Sequence, residues 1–213
     1  MPFPFPKVYP ILDRSVVPSD ERVKFLCRLG SGLAEAGATL LEYRNKTGSD
    51  EELLADAAVL RETLPSGKVK LILDDRVDLV EATRFDGAHV DAGDAAPAEA
   101  RRLLGPDRIV GTYGGTEALL PGILREPADY FSIGPVFATT TKQTTKPPIG
   151  IDGVRRLRNE AGADAVLVAV GGITLETAPA VLAAGATTLG VAAAIFRAAD
   201  PVAEFRRWIK VLA

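Results

Sequence analysis

Val8-Tyr9-Pro10-Ile11-Leu12-Asp13-Arg14 is a short apolar run that ends in an aspartate and an arginine, with no glycine at its exit. Working outward from it, runs of the same kind recur along the chain. The candidate strands are Val8–Leu12, Leu40–Arg44, Val69–Leu73, Gly87–Val90, Ile109–Thr112, Tyr130–Ile133, Val166–Val170 and Thr187–Val191. Between them lie helical stretches at Glu21–Ala36, Asp50–Leu64, Asp75–Thr83, Pro97–Leu104, Gly153–Glu160 and Thr174–Ala184. Their apolar positions recur at three and four residues, the spacing of one buried helical face. The last stretch has a capping-type start, with Thr174, Glu176 and Thr177 in its opening turn.

Strands alternating with helices in this way predict a parallel sheet covered by helices, an α/β fold. Two closures compete, a barrel and an open doubly wound sheet. An open sheet that binds a dinucleotide carries GxGxxG directly after its first strand, and here that strand runs into Leu12-Asp13-Arg14. Eight units without the fingerprint predict one (β/α)8 TIM barrel, with residues 1–213 as a single domain. The length suits this, although it falls short of the ~250 residues typical of such barrels.

Bulk composition narrows the function classes. The apolar share is 47% and the charged share 25%, the balance of an ordinary globular protein. A net charge of -3 argues against a broad basic surface for nucleic acid. An anionic ligand must therefore be gripped by a few local cations and backbone amides. The single cysteine, Cys27, excludes an intramolecular disulfide and fits a reducing compartment. Its apolar helical setting predicts buried filler, not a reactive thiol. The MPFPFPK start lacks a basic segment followed by a long apolar run, and no stretch approaches the ~20 apolar residues of a membrane span. A cytoplasmic protein is expected.

In such a barrel the strand C-termini and following loops build the active site. Those positions hold Arg44-Asn45-Lys46, Asp74-Asp75-Arg76, Asp91 and Asp94, Tyr113-Gly114-Gly115, a long loop from Gly134 to Lys142, Gly171-Gly172, and Gly190 with small residues after it. Arg44 and Lys46, two apart on an extended segment, share a side and can grip phosphate oxygens; a solvated loop pair has the same spacing. Asp75 and Asp94 come from adjacent strand ends and can share a hard cation such as Mg2+, whereas Asp75 alone can cap the following helix. Gly171-Gly172-Ile173-Thr174 opens a helix after a strand, which suits a phosphate held by backbone N–H groups. Thr139–Lys142 continues through Gln143-Thr144-Thr145-Lys146-Pro147-Pro148, a hydroxyl-rich loop fit for a closing lid or a linker. His89 alternates with Gly87 and Asp91, which points it into the barrel as a satisfied interior histidine. No Ser/His/Asp set or Cys/His metal cluster assembles, so the site favours binding and electrostatics over proton relay.

As a set, these loops resemble the thiamine-phosphate synthase family over nearly the whole chain. The resemblance rests on Leu41-Glu42-Tyr43-Arg44-Asn45-Lys46, Asp74-Asp75-Arg76-Val77-Asp78-Leu79, Asp86-Gly87-Ala88-His89-Val90, Gly134-Pro135-Val136-Phe137 with Thr139-Thr140-Thr141-Lys142, and Val170-Gly171-Gly172-Ile173. It implies coupling of hydroxymethylpyrimidine diphosphate with a thiazole phosphate, giving thiamine phosphate and pyrophosphate. It also implies that Arg44, Lys46 and Lys142 hold the diphosphate, with Mg2+ on Asp75 and Asp94. Thr139, Thr141, Gly172 and the backbone at Ala192 and Ala193 would hold the thiazole phosphate. The implied partners are small phosphorylated substrates, with neither nucleic acid nor membrane. A homo-oligomer is left open, since Phe205, Trp208 and Ile209 on the last helix can equally pack on the barrel.

Four positions depart from the family pattern. Glu42 stands where glutamine is usual, Asp74 where asparagine is usual, and Tyr113 and Ala193 where serines are usual. An added carboxylate ~4 Å from a diphosphate oxygen costs about 4 kcal/mol at an effective dielectric of 20, roughly three orders of magnitude in affinity. Asp74 therefore joins the metal site, keeps its proton, or impairs diphosphate binding. Tyr113 is expected to fill part of the pyrimidine pocket. Besides the synthase, two readings follow: a thiazole tautomerase-like relative, which would use a histidine where Tyr113-Gly114-Gly115 stands, and a non-catalytic barrel that binds a phosphorylated ligand.

Overall fold

In the computed structural model, which describes residues 3–65, 67–115, 120–139 and 147–213, eight parallel strands close on themselves in chain order. They are β1 (Val8–Asp13), β2 (Leu40–Arg44), β3 (Lys70–Asp74), β4 (Gly87–Val90), β5 (Ile109–Gly115), β6 (Tyr130–Ile133), β7 (Leu167–Val170) and β8 (Thr188–Val191). Closure comes from β1 against β8, with Val8 opposite Leu189 and Pro10 opposite Val191. The helices are α1 (Arg22–Glu35), α2 (Asp50–Thr63), α3 (Val80–Thr83), α4 (Pro97–Leu104), α5 (Leu120–Ile123), α6 (Gly150–Ala161), α7 (Ala178–Ala183), α8 (Ala193–Phe196) and α9 (Pro201–Leu212). The barrel predicted from the alternating pattern is the one observed. No helix among the described residues is long and apolar enough to cross a membrane.

Strand alternation splits the core in two. Leu12, Leu41, Tyr43, Leu71, Leu73, Val90, Val110, Ile133, Leu167 and Leu189 face outward and pack under the helices. Tyr9, Leu40, Ile72, Ile109, Tyr130 and Val168 face inward and fill the lower barrel, with Phe3 and Phe5 of the N-terminal segment packed beneath them. The Phe5 ring meets Tyr130 edge-on at 5.4 Å. Tyr130 has room to cross the barrel because β5 carries Gly111 beside it; a Cβ there would come within 1.9 Å of the ring. This filled floor leaves the C-terminal ends of the strands as the open end.

Capping and ion pairs fix the helices around the barrel. At the start of α2, Ser49 accepts from the Glu52 N–H at 3.2 Å, with Asp50, Glu51 and Glu52 in the first turn. Asp200 does the same for α9, accepting from Ala203 N–H at 2.9 Å, with Pro201 at the first position. Arg22 of α1 forks onto buried Asp56 of α2, Nε to Oδ1 at 2.5 Å and Nη2 to Oδ2 at 2.7 Å, and the Tyr43 hydroxyl of β2 donates to the same carboxylate.

One further device repeats at the bottom of the barrel. Arg61 binds the Leu64 and Val69 carbonyls and Asp86, whose Oδ2 accepts the Leu71 N–H. Arg101 binds the Gly105 and Arg108 carbonyls and Asp129, whose Oδ2 accepts the Val110 N–H. Arg158 binds the Gly162 and Ala165 carbonyls and Thr187, whose Oγ1 accepts the Leu167 N–H. In each case an arginine of α2, α4 or α6 ties the following loop to the entry of two adjacent strands. The otherwise unpaired carbonyls at the helix ends are satisfied by the same groups that set strand register.

Several local expectations change. Asp75–Thr83 is not one helix. Asp75 takes a left-handed backbone with φ 68, a 3-10 turn covers Val77–Leu79, and only α3 is α-helical. The helix expected from Thr174 begins at Ala178, because the Thr174 N–H donates to Thr177 Oγ1 at 3.0 Å and closes a separate turn first. Cys27 is half-buried instead of fully buried. Phe205 and Trp208 are fully buried against the barrel and Ile209 packs beside them, so this face of α9 is already used within the chain.

Candidate active site

Above the aromatic floor the strand ends open into a cavity of about 820 Å3, to which all eight strands contribute side chains. Its base is polar. The Tyr9 hydroxyl of β1 donates to Glu42 Oε2 of β2 at 3.2 Å. His89 of β4 stacks on Tyr130 at 5.5 Å, and its Nδ1 lies 3.1 Å from the Tyr130 hydroxyl. His89 is thus the inward-facing, partnered histidine that alternation predicted.

The predicted site residues Glu42, Arg44, Lys46, Asp74, Asp94, Tyr113, Thr139, Gly172, Ala192 and Ala193 all line this cavity. Thr141 and Lys142 lie outside the described residues, as does most of the expected lid. Asp75 sits just behind the wall. Its left-handed backbone ends β3, and its N–H donates to the His89 carbonyl at 2.8 Å. It caps no helix; its carboxylate joins Asp74 and Asp91, with one ligand atom from each within 4.8 Å of the others.

The two cations expected to grip phosphate are paired with these acids. Arg44 Nε lies 3.0 Å from Asp74 Oδ2, and its Nη1 contacts Asp13. Lys46 Nζ contacts Asp75 and lies 4.0 Å from Asp74 Oδ2. Asp94, expected beside Asp75 as a metal ligand, is also in the wall, and there its Oδ2 accepts the Asp91 N–H at 2.9 Å. Oδ1 of Asp74 and Oδ1 of Asp75 are shielded from solvent and accept no hydrogen bond from the described residues. Orphaned carboxylate oxygens of this kind, in a cluster of three acids, fit a hard divalent cation.

Crowding of acids sets the protonation state of the base. Burial, with the Asp74 and Asp91 charges adding to it, raises Glu42 to about 8, although the Tyr9 hydrogen bond and Arg44 pull the other way. Glu42 is therefore mainly a neutral acid at pH 7, offering one donor besides the oxygen that accepts from Tyr9. Burial also raises Asp74, opposed by His89, Lys46 and Arg44. Burial works against ionisation of Asp13 as well, yet its Ser15 hydrogen bonds and Arg44 hold it below the usual range.

The β6–β8 side of the rim is built from backbone. Gly171 and Gly172 have φ 91 and 66, and a Cβ on Gly172 would come within 2.4 Å of the Ala138 carbonyl. The turn needs glycine both for its dihedrals and for the approach of the 134–138 segment, whose Phe137 N–H donates to the Gly171 carbonyl at 3.0 Å. The anion-binding feature expected here is thus a glycine turn and not a helix start. Tyr113 stands in the wall with its hydroxyl donating to the Gly134 carbonyl at 2.9 Å, at a register shift between Tyr113 and Gly115. The bulkier side chain is held against β6 by that bond.

Sequence reasoning assigned no role to Tyr9, Asp13, Asp91 or Ser132. Alternation along β1, β4 and β6 puts Tyr9, Asp91 and Ser132 on the inward face, so the signal was present for those three. The pairing of Asp13 with Arg44 needed the β1–β2 register, in which these two residues are partners.

Comparison with known proteins agrees with this architecture. The family model described as thiamine monophosphate synthase matches residues 8–195. The thiamine-phosphate synthase of Koribacter versatilis is 36% identical over 207 residues, 97% of this chain and 96% of that protein. The thiamine-phosphate synthase of Agrobacterium fabrum is 40% identical over 178 residues, 82% of this chain and 81% of that one. The solved structure of thiamine phosphate pyrophosphorylase from Pyrococcus furiosus superposes with a TM-score of 0.81 at 26% identity, covering 97% of this chain and 95% of that one. By the family model and by these relatives, the chain belongs to the thiamine monophosphate synthase family.

Proposed function

We propose that this chain is a thiamine-phosphate synthase, a transferase that joins hydroxymethylpyrimidine diphosphate to a thiazole phosphate and releases pyrophosphate. The observation that carries the reading is one cavity with two unlike polar sides. Arg44, Lys46 and a carboxylate cluster stand on β2 to β4, and the Gly171-Gly172 turn stands on β6 to β8. The first suits a metal-bound diphosphate and the second a phosphate monoester held by backbone N–H groups.

In the reaction the C–O bond to the diphosphate breaks, its electron pair leaves with the diphosphate, and the thiazole nitrogen lone pair forms the new C–N bond. That nitrogen carries no proton, so no general base is required. Arg44 and Lys46 hold the departing diphosphate after exchanging their carboxylate partners for phosphate oxygens, with Lys142 joining them on the strength of its motif. Mg2+ would be held by Asp75 and Asp94 with the neighbouring acids, neutralising the leaving group's charge. Neutral Glu42 and the Tyr113 wall orient the pyrimidine. Thr139, Thr141, Gly172 and the Ala192–Ala193 backbone hold the thiazole phosphate in line.

Phosphorus NMR tests this directly. Pyrophosphate is expected to appear only when both precursors and Mg2+ are present, and to fall about 100-fold or more in rate with Arg44→Ala. Pyrophosphate released at the same rate without the thiazole phosphate would mean hydrolysis, and would remove the coupling role.

A further inference from the structure

Asp13 ends β1 and Arg44 ends β2, and the two are register partners. The Asp13 carboxylate is engaged at both oxygens. Oδ1 accepts the Ser15 N–H at 2.9 Å and caps the 3-10 turn Arg14–Val16, while Oδ2 contacts Nη1 of Arg44. That turn is itself tied down, since Arg14 Nη2 reaches Glu52 Oε1 of α2 at 3.0 Å and Arg22 of α1 reaches the same oxygen at 2.6 Å. Asp13 is therefore a carboxylate with little freedom, set beside a cation that it can orient.

The second acid on Arg44 is of another kind. Asp74 Oδ2 lies 3.0 Å from Nε, and Asp74 borders the cavity with Arg44, whereas Asp13 does not. Burial disfavours the charge on both acids. It prevails at Asp74, but at Asp13 the Ser15 hydrogen bonds and Arg44 outweigh it. Asp74 is thus the partner that gives way more readily, and Asp13 the one that stays. A guanidinium has five N–H donors, and Asp13 contacts it at Nη1 alone, so the fork can meet an anion with this contact kept. Its hold on phosphate oxygens depends on the plane of the fork being aligned beforehand.

We propose that Asp13 is a positioning residue for Arg44: it stays on Nη1 while the rest of the guanidinium turns to a diphosphate, so that only Asp74 is exchanged for phosphate oxygens. Asp13 touches no ligand and acts through the cation beside it. The identity of the anion rests on the synthase reading; the coupling of Asp13 to Arg44 is tested without any turnover.

The test is titration calorimetry of the full chain with pyrophosphate in the presence of Mg2+, because positioning and plain charge predict opposite signs. Removing a carboxylate near an anion relieves repulsion and tightens binding, whereas removing a positioning residue loosens it. Asp13→Ala should weaken pyrophosphate binding by about tenfold, within the range for residues that share one ion-pair network. Asp13→Asn, which keeps an oxygen for the Ser15 N–H but offers Arg44 no charge, should weaken it in the same direction. In an Arg44→Ala background, Asp13→Asn should weaken it no further. Circular dichroism checks that each variant is folded. Tighter or unchanged binding in both single variants would overturn the proposal, as would an undiminished further loss in the Arg44→Ala background. In coupling kinetics, kcat/KM for the pyrimidine diphosphate should fall in parallel while the KM for the thiazole phosphate stays put. Absent product, with the Asp13 effect on pyrophosphate intact, would count against the synthase reading alone.

Discussion

Replacing Glu42 with glutamine should make the protein more stable, and by an amount that grows with pH. Glu42 is buried, accepts a hydrogen bond from Tyr9, and is raised to about 8 from 4.5, by burial first and then by the Asp74 charge. Because the folded state holds the proton more tightly than the unfolded chain, the stability it contributes is full below about pH 4.5. It drains away as pH rises toward about 8 and is gone above that. At about pH 7 the gap from 4.5 is 2.5 units, and at about 1.4 kcal/mol per unit the cost is about 3 kcal/mol. It reaches about 5 kcal/mol at pH 8 and above. Glutamine keeps an acceptor for Tyr9, fills nearly the same volume and does not titrate. Urea unfolding of the substrate-free and metal-free protein at several pH values from about 5 to 8 should show the variant gaining on the wild type at each step. Asp74→Asn should show a gain of the same sign, and the double variant less than the sum, because the Asp74 charge is part of what raises Glu42. Wild-type and Glu42→Gln stabilities that stay parallel across this range would refute the reasoning and place a charged Glu42 in the cavity.

Other expectations follow from the same geometry. Gly172→Ala forces a Cβ to within 2.4 Å of the Ala138 carbonyl at a φ of 66, so it should cost about 1–3 kcal/mol of stability and raise the KM for the thiazole phosphate more than that for the pyrimidine; equal changes in both would place the phosphate elsewhere. Arg101→Ala removes the donor to the Gly105 and Arg108 carbonyls and the cation beside Asp129, which keeps only the Val110 N–H. It should lower stability by about 2 kcal/mol in thermal unfolding, with coupling kinetics unchanged at a temperature where the variant is folded. Trp208→Ala empties a fully buried site and should cost about 3–5 kcal/mol. A loss below about 1 kcal/mol would mean that α9 packs on the barrel less tightly than described.

The barrel was legible because its signals are periodic. β2, β4, β6 and α4 begin and end where their apolar patterns do, and eight such units with no glycine fingerprint after β1 chose closure. What escaped depended on contacts between elements or on single dihedrals. Nothing in the apolar spacing of 75–83 marks Asp75 as left-handed, and that one residue turns an expected helix into a break that delivers a carboxylate to the rim. The apolar positions after Gly172 continue in helical phase, so the Thr174–Thr177 turn was hidden until its hydrogen bond was seen. The site residues were found by their places at strand ends. Their partners were not, since the Arg44 contacts with Asp13 and Asp74 cross strands and depend on register. For the same reason Asp91 was visible as an inward-facing acid, but its meeting with Asp74 and Asp75 was not.

The most direct test of the account is a coupling assay with both phosphorylated precursors, scored by oxidation of thiamine phosphate to its fluorescent product. Thiamine phosphate should form only with Mg2+ and both substrates, and Asp75→Ala should abolish it while leaving the fold intact. Folded wild-type protein that binds a divalent cation and both precursors, yet makes no thiamine phosphate, would contradict the assignment and leave a barrel that holds these ligands without joining them.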